Sequence, residues 1–595
     1  MRRSALGAAT AVLVLAGAGL TAPTAGAAPT ASSPSAAGED PRYWRRDGPA
    51  VPAEPRAAVP APLRAAVPAR PGTAVAGDAT LTVSVRDRTG AAPATDRAGY
   101  ALAFDLATGA LTVVFLTDGS GSAAVTPGAY LVQAFVETVE ASGDVSLSMP
   151  MGTGVLVAGD TETTVDARST ARVGISVDRA GAALAGGTVQ VTVPTPGEQI
   201  WYAADFDYPG GLYVQPTGPV PGLALTVYGG LTQGGGTTSP YVYHLLFESA
   251  NAIPRRPVYA ARTSQLAALT VDLRGQGEPA RGWFRPSGRH PDRPVGFGTS
   301  VTLGAVPARY GSVYVTPHPD VRWRLAAQVL PADCDESGGS DFFVLPDQAF
   351  PAVRRYPVPF GRAPLGPSLA GAAAPASREG NAMRIQIPMY ADAGAGRDGG
   401  TATSFADYPF ATGWTRLENA GGTLLGETDR TGFGRFEVPA EAGRYTLTTE
   451  STRKACWSAL SIRQRTQWTF VSAYPKTTEA LPLFAVRYDA DLDTRNRAPA
   501  GESFTFGVAL EPAVTLGRVP SYAKSDNKGP FLALSASFDD GGSWERVAVR
   551  RDGDRWLATV DHPAGAQHVS LRARATDAAG NTVDQTMIRA YALHP

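Results

Sequence analysis

The chain has 595 residues, more than one hydrophobic core holds, so four or five domains are expected. Its 53 basic and 54 acidic side chains leave a formal charge of −1, which excludes a global field that gathers nucleic acid or an anionic membrane. With 66 Gly, 49 Pro and 18% charged residues, the composition is that of turn-rich β domains.

In chain order, Arg2 and Arg3 supply a positive start, and Ala5 to Leu20 is an apolar run too short and too rich in Ala and Gly for a comfortable membrane span. Ala25-Gly26-Ala27 is a cleavage site. Residues 1–27 therefore read as a secretory signal peptide, against the alternative of an uncleaved anchor. A twin-arginine signal lacks the rest of its motif. The expectation is a secreted, extracellular protein without a membrane span after cleavage, and Tyr591 to Pro595 adds no hydrophobic tail. Residues 28–77, rich in Ala, Pro and Ser, cannot bury enough surface to fold and read as a disordered linker. A cleavable propeptide is the sharper reading of the same segment.

Order is expected from Ala79. Leu81-Thr82-Val83-Ser84-Val85 alternates with the period of a half-buried strand. Tyr100 to Phe104 and Leu111 to Phe115 are further strands, and no stretch has a capped helical period. A pattern then recurs. Thr117-Asp118-Gly119-Ser120-Gly121 precedes Val125-Thr126-Pro127-Gly128-Ala129-Tyr130, and Thr428-Asp429-Arg430-Thr431-Gly432 precedes Val438-Pro439 and Gly443-Arg444-Tyr445. Each copy is a Gly turn, a strand, a second turn and a strand opened by Tyr. It resembles the pre-albumin-like sandwich modules of secreted bacterial enzymes. The predicted fold class is all-β: tandem β-sandwiches, immunoglobulin-like or pre-albumin-like. They are placed at 78–168, 170–272, 273–365, 375–487 (pre-albumin-like) and 488–595 (immunoglobulin-like), with 366–374 as a linker. Whether 170–365 is one domain or two stays open, with two favoured.

The last module carries Ser537-Phe538-Asp539-Asp540-Gly541-Gly542-Ser543-Trp544, the pattern of an Asp box. Ser537, Asp539, Gly541 and Trp544 are expected to build a structural hairpin, its Trp ring folded over the sheet. Sialidases repeat this box, whereas one copy reads as a turn.

Chemistry-bearing patterns are sparse. Among six histidines there is no H-E-x-x-H or H-x-H, so metalloprotease ligand spacing is absent. His290-Pro291-Asp292 and His318-Pro319-Asp320 repeat; Pro-Asp turns with exposed imidazoles are the plain reading, metal or base the sharper one. Gly298-Thr299-Ser300 is like the surroundings of a subtilisin nucleophile, but no base segment accompanies it, so Ser300 reads as a strand-flanking serine. Asp489, Asp491 and Asp493 start like a calcium loop, yet Thr494 and Ala500 stand where Gly and Glu are needed. Trp201-Tyr202, Tyr208, Tyr213, Trp283-Phe284 and Trp323 are candidates for stacking on sugars, with core packing the commoner fate. No catalytic residue, cofactor site or metal site is expected. Cys334 and Cys456 are an even pair in an exported chain and point to one disulfide, against two buried free thiols. It would close a loop of about 120 residues, worth roughly 4–5 kcal/mol in the chain-entropy model.

From about residue 78 onward the chain resembles the C-terminal accessory region of large secreted subtilisin-like serine proteases of high-GC Gram-positive bacteria. The resemblance rests on Leu81 to Gly90, the Tyr-opened strand after Pro127-Gly128, Arg487 to Phe506, the Asp-box hairpin and Val569 to Tyr591. The family's catalytic Asp, His and Ser segments have no counterpart, so accessory architecture is implied and proteolysis is not. The expected function is a secreted, non-catalytic, monomeric binding or scaffold protein whose partner is an extracellular protein or polysaccharide, not nucleic acid. The alternatives are a carbohydrate or cell-wall binding protein, or an enzyme whose site no motif reveals.

Overall fold

A computed structural model of the chain describes residues 11–14, 79–196, 200–290, 298–332, 341–370, 375–393, 403–404, 411–513, 531–577 and 579–595. The chain is all-β, as predicted. Two single 3-10 turns, Ala167–Ser169 and Thr263–Gln265, are its helical elements among the described residues. No helix there is long and apolar enough to cross a membrane. Most of 1–77 lies outside the described residues; within it, Ala11–Val14 is an edge strand paired antiparallel with Ile200–Asp205.

The first unit is a sandwich. Ala79–Arg86 lies between Thr161–Asp166 and Ser120–Val125, and its Leu81, Val83 and Val85 are buried while Thr82 and Ser84 turn outward. That is the alternation read from the sequence. The facing sheet runs Leu111–Phe115, Tyr100–Asp105, Gly128–Ala134, Met151–Val157. Ala101, Ala103, Val114, Tyr130 and Val132 fill the space between. The hairpin Val136–Val139 and Val145–Met149 leaves this sandwich and pairs with Gly211–Val214 of the next segment.

Both copies of the recurring pattern take the same local form. Gly119 and Gly432 hold φ of 80° and 71°, the left-handed region that favours glycine. Tyr130 and Tyr445 are buried, each with its ring packed back on the glycine two residues before it. Tyr130 Oη donates to the Thr126 carbonyl at 2.8 Å, which fixes the corner before its strand.

In the middle of the chain one sheet passes through both expected units. Strands Ala182–Val193, Ala224–Gln233, Val242–Ala250, Ala308–Val315, Ala267–Leu273 and Arg355–Phe360 are hydrogen-bonded in that order. The line drawn between 272 and 273 therefore runs through a sheet. Val189, Val191, Leu225 and Val227 pack toward the first unit, against Phe104 and Met149. Farther along the sheet, Val242, Leu269 and Val313 join the core beneath Trp323 and Phe343.

The C-terminal half repeats this continuity. A nine-stranded sheet contains Ala411–Asn419, Gly443–Arg453, Arg463–Ser472, Thr582–His594, His568–Thr576 and Phe531–Ser537 in spatial order. Arg463–Ser472 belongs to the expected 375–487 module and Thr582–His594 to 488–595, yet they pair antiparallel from Arg463↔Ile588 to Thr469↔Thr582. Two four-stranded sheets, one holding Ala382–Gln386 and the other Ser503–Pro512, complete the two halves.

The described part of the expected 366–374 linker is buried rather than solvated, because two side chains satisfy its backbone. Glu511 accepts from the Leu369 and Ala370 amides at 2.7 and 3.1 Å, and Arg487 donates to the Gly366 and Pro367 carbonyls at 3.1 and 2.9 Å. Asn496, at φ 57° and fully buried, donates to the Gly275 and Gly361 carbonyls at 2.8 Å and accepts from Ala363 at 2.9 Å. These contacts cross all three expected boundaries after 273.

Candidate functional site: a cleft at the junction of the C-terminal strands

The turn between Gly443–Arg453 and Arg463–Ser472 is held by its neighbours. Ser458 Oγ and the Ala459 amide donate to the Gln276 carbonyl at 3.2 and 3.0 Å. Gly277, at φ 97°, passes so close that a Cβ there would lie 2.5 Å from the Ala459 methyl carbon. On the other side the Ser461 and Ile462 amides donate to the Arg589 and Ile588 carbonyls at 2.7 and 3.1 Å. The Asp-box hairpin closes the third side through Asp540.

A cleft of 360 Å³ opens where these pieces meet, lined by Glu278, Arg453, Ile462, Arg463, Asp540 and Arg589 among others. Ser461, Asp540 and Arg589 all hold left-handed angles, φ 48°, 56° and 56°. Non-glycine residues in that region gather where packing overrides local preference, often at sites of function. Arg589 holds the Asp540 carboxyl below its ordinary range through hydrogen bonding. Arg453 lays its guanidinium 4.8 Å from the centre of the Tyr390 ring. Arg463 is exposed at the rim. Three guanidinium groups against two carboxylates give the lining a cationic excess. Neither a histidine nor a cysteine lines it, and Ser458 Oγ is committed to the Gln276 and Leu460 carbonyls, so no activated nucleophile is built here.

The Asp-box residues form one turn. Asp539 accepts from Ser537 Oγ at 2.7 Å, from the Ser543 amide at 2.9 Å and from Ser543 Oγ at 2.6 Å, which holds its carboxyl at about 2. Gly541, at φ 91°, donates its amide to Ser537 Oγ at 2.8 Å. The Trp544 ring closes this turn. It is part-exposed, and Nε1 donates to the Gly541 carbonyl at 3.1 Å. The ring packs on its own turn at Gly541, which also lies against Ile588 of the last strand.

The other candidates scatter. Cys334 lies outside the described residues, so its pairing with Cys456 stays a proposal. Trp323 and Phe284 are fully buried, Tyr213 stacks under Arg88 at 3.6 Å, and Tyr208 Oη donates to Glu137 at 3.4 Å, so these aromatics form no planar row. Ser300 flanks the strand Val301–Val306 as read. Asp493 accepts from the Arg495 and Arg497 amides at 2.8 and 2.9 Å and pairs with the Arg497 side chain. Among the described residues no group of three metal-ligating side chains converges. The His290 and His318 rings do lie near each other, 6.3 Å apart between centres.

Sequence reasoning missed two features. The cleft draws its residues from four separated segments, and no spacing announces that. The second is a buried pair: Tyr228 Oη lies 2.8 Å from His244 Nδ1, both enclosed. Burial drives the His244 pKa down to about 3 and the Tyr228 pKa up. Period-2 reading places His244 and Tyr228 on one face but does not reveal that this face is covered.

No family model and no curated protein matches the chain. Among solved structures, alpha-2-macroglobulin of Salmonella reacted with methylamine aligns over 88% of this chain and 40% of its own, at 10% identity and TM-score 0.16. The chain thus spans less than half the length of that protein. The N-terminal eight Ig domains of the Down syndrome cell adhesion molecule align over 86% of this chain and 74% of theirs, at 10% identity and TM-score 0.14. An I-band fragment of titin aligns over 56% of this chain and 97% of its own, at 10% identity and TM-score 0.12. Overlap at these scores leaves function to be argued from the site itself.

Proposed function

We propose that this is a secreted, non-catalytic, multi-domain binding protein, and that the cleft receives an anionic group of an extracellular protein or polysaccharide. The observation that carries the reading is the lining itself: Arg453, Arg463 and Arg589 line the cleft together with Glu278 and Asp540, and no histidine or cysteine is among the lining residues. Planar guanidinium donors suit carboxylate and sulfate ligands. The leader-like start and the likeness to accessory regions of secreted proteases support the same reading. So does the continuity of the sheets, which fixes the cleft's walls without a hinge.

The test compares the purified chain with Arg463→Glu on arrays of uronic-acid glycans and acidic peptides. Arg463 stands at the rim with its side chain exposed, so charge reversal should abolish retention and leave melting unchanged. Equal retention by the variant would remove the cleft from the reading. Steady turnover of a retained ligand would overturn the non-catalytic assignment.

A further inference from the structure

The nine-stranded sheet of the C-terminal half turns one face to solvent. Along Arg463–Ser472 the alternation is strict: Gln464, Thr466, Trp468 and Phe470 are buried, while Arg463 and Arg465 are exposed and Gln467 and Thr469 half-buried. The neighbouring strands keep this phase, so Thr446, Thr469 and Thr582 stand in register across three of them. The end row of the face is Thr452, Arg463 and Ile588, and all three line the cleft. Face and cleft are therefore one continuous surface. On it Arg416 is matched to Glu427, and Arg572 and Arg574 share Asp584. Arg444, Arg463 and Arg465 belong to no ion pair among the described residues. With Glu418 and Glu450 as the other acids there, the face carries two more cations than carboxylates.

We propose that this face binds an extended anionic polysaccharide, laid along Arg463 to Thr469 with one end in the cleft; the proposal rests on the binding reading given above. Guanidinium groups pair with carboxylate or sulfate through two parallel hydrogen bonds. Arg463 and Arg465 point to the same side and stand about 6.6 Å apart along the strand, so one polymer can offer successive acid groups to both. Farther from the cleft, the rank of Thr446, Thr469 and Thr582 supplies hydroxyls that donate to and accept from sugar hydroxyls. Trp414, half-buried, closes the row that holds Glu450 and Arg465 and offers a ring surface for a sugar. A protein partner fits this face less well. Strands Gly443–Arg453, Arg463–Ser472 and Thr582–His594 are each paired on both sides, so no peptide can add to them as a strand. A protein interface also needs a central apolar anchor, whereas the exposed apolar side chains here, Leu424, Val471 and Phe531, stand at the margins.

The experiment is fluorescence polarisation of labelled oligogalacturonates, a dimer, a hexamer and a dodecamer, titrated with the full purified chain. Contact with both cleft and face should raise affinity at least about tenfold from dimer to dodecamer. Arg465 does not line the cleft, so Arg465→Glu should remove that gain and leave the dimer's affinity unchanged. The milder Arg465→Gln should remove most of it, and Arg463→Glu should lose binding at every length. Arg550→Glu makes the same charge change on the exposed part of Ala548–Asp552, in another sheet, and should bind like the parent. Thermal melts check that each variant is folded. Equal affinity at all lengths, or a length gain that Arg465→Glu keeps, would overturn the face and leave the cleft standing. Capture of polyglutamate with no oligogalacturonate bound would overturn the polysaccharide and give the cleft to an acidic protein. Binding of neither would overturn both readings.

Discussion

The guanidinium of Arg589 grips the Asp540 carboxylate at two points, Nε to Oδ1 at 3.0 Å and Nη2 to Oδ2 at 2.8 Å, while both residues hold left-handed backbone angles. The pair locks the Asp-box hairpin to the last strand at the cleft. Both side chains are about a third or more exposed, so solvent screens their attraction. Asp540→Ala loses the pair and keeps the unfavourable backbone angle, and should cost about 1–2 kcal/mol. Asp540→Gly loses the pair and relieves the angle, and should stay within about 0.5 kcal/mol of the parent. Equal melting of the two variants would show that the backbone angle carries no strain.

His244 sets a pH dependence. Its folded pKa is about 3, below the ordinary 6.5, because burial penalises the charged ring. The unfolded chain takes up a proton that the folded core refuses. Stability is therefore complete above about pH 7 and is lost as pH falls from 6.5 toward 3, by about 1.4 kcal/mol per unit for this one group. His562 and His568 are also lowered by burial and add to the slope. His244→Gln keeps a partner for Tyr228 and removes one proton's share. Urea melts at pH 7 and pH 5 measure it, and parallel slopes in parent and variant would reject the assignment.

Trp544→Ala should cost about 2 kcal/mol, below the about 3–5 kcal/mol of an enclosed tryptophan, since the ring is part-exposed. A larger loss would place the ring deeper than the hydrogen bond to Gly541 implies.

Ending the chain at residue 487 strips Thr582–His594 from Arg463–Ser472 and leaves a free sheet edge. The shortened chain should aggregate and lose its C-terminal protection from hydrogen exchange, because an unguarded edge recruits other strands. The sandwich at 79–166, with its own core, should keep its protection. Intact protection of strands 443–453 and 463–472 in the shortened chain would contradict the shared sheet.

Cys334–Cys456 should be bridged. Cys456 lies in the turn that docks on Gln276, and Ala332, two residues before Cys334, donates its amide to the Pro279 carbonyl at 2.9 Å. Thiol titration of the denatured chain without reductant should find none. Two free thiols would dismiss the bridge.

The strands were legible wherever one face of a sheet is buried and the other wet. Leu81 to Val85 shows it, as does the alternation of Val569, Leu571, Ala573 and Ala575. The Gly-turn and Tyr-strand pattern was legible too, because Gly119 and Gly432 need an angle that few residues accept. Sheet continuity was not. Nothing in Arg463 to Ser472 says that its neighbour is more than a hundred positions away, since edge and central strands share one alternation. The cleft was hidden for the same reason, and Gly366 to Ala370 looked like solvated chain because the Glu511 and Arg487 that enclose it come from elsewhere.

The place of Thr582–His594 also bears on how the molecule is made. It lies between Arg463–Ser472 and His568–Thr576, and every other described strand of that sheet precedes it in the sequence. Until it emerges, the two halves of the sheet have no common member. A chain synthesised from its N-terminus would thus complete the first sandwich early and hold the C-terminal half open, with the cleft unformed, until this strand arrives to close it.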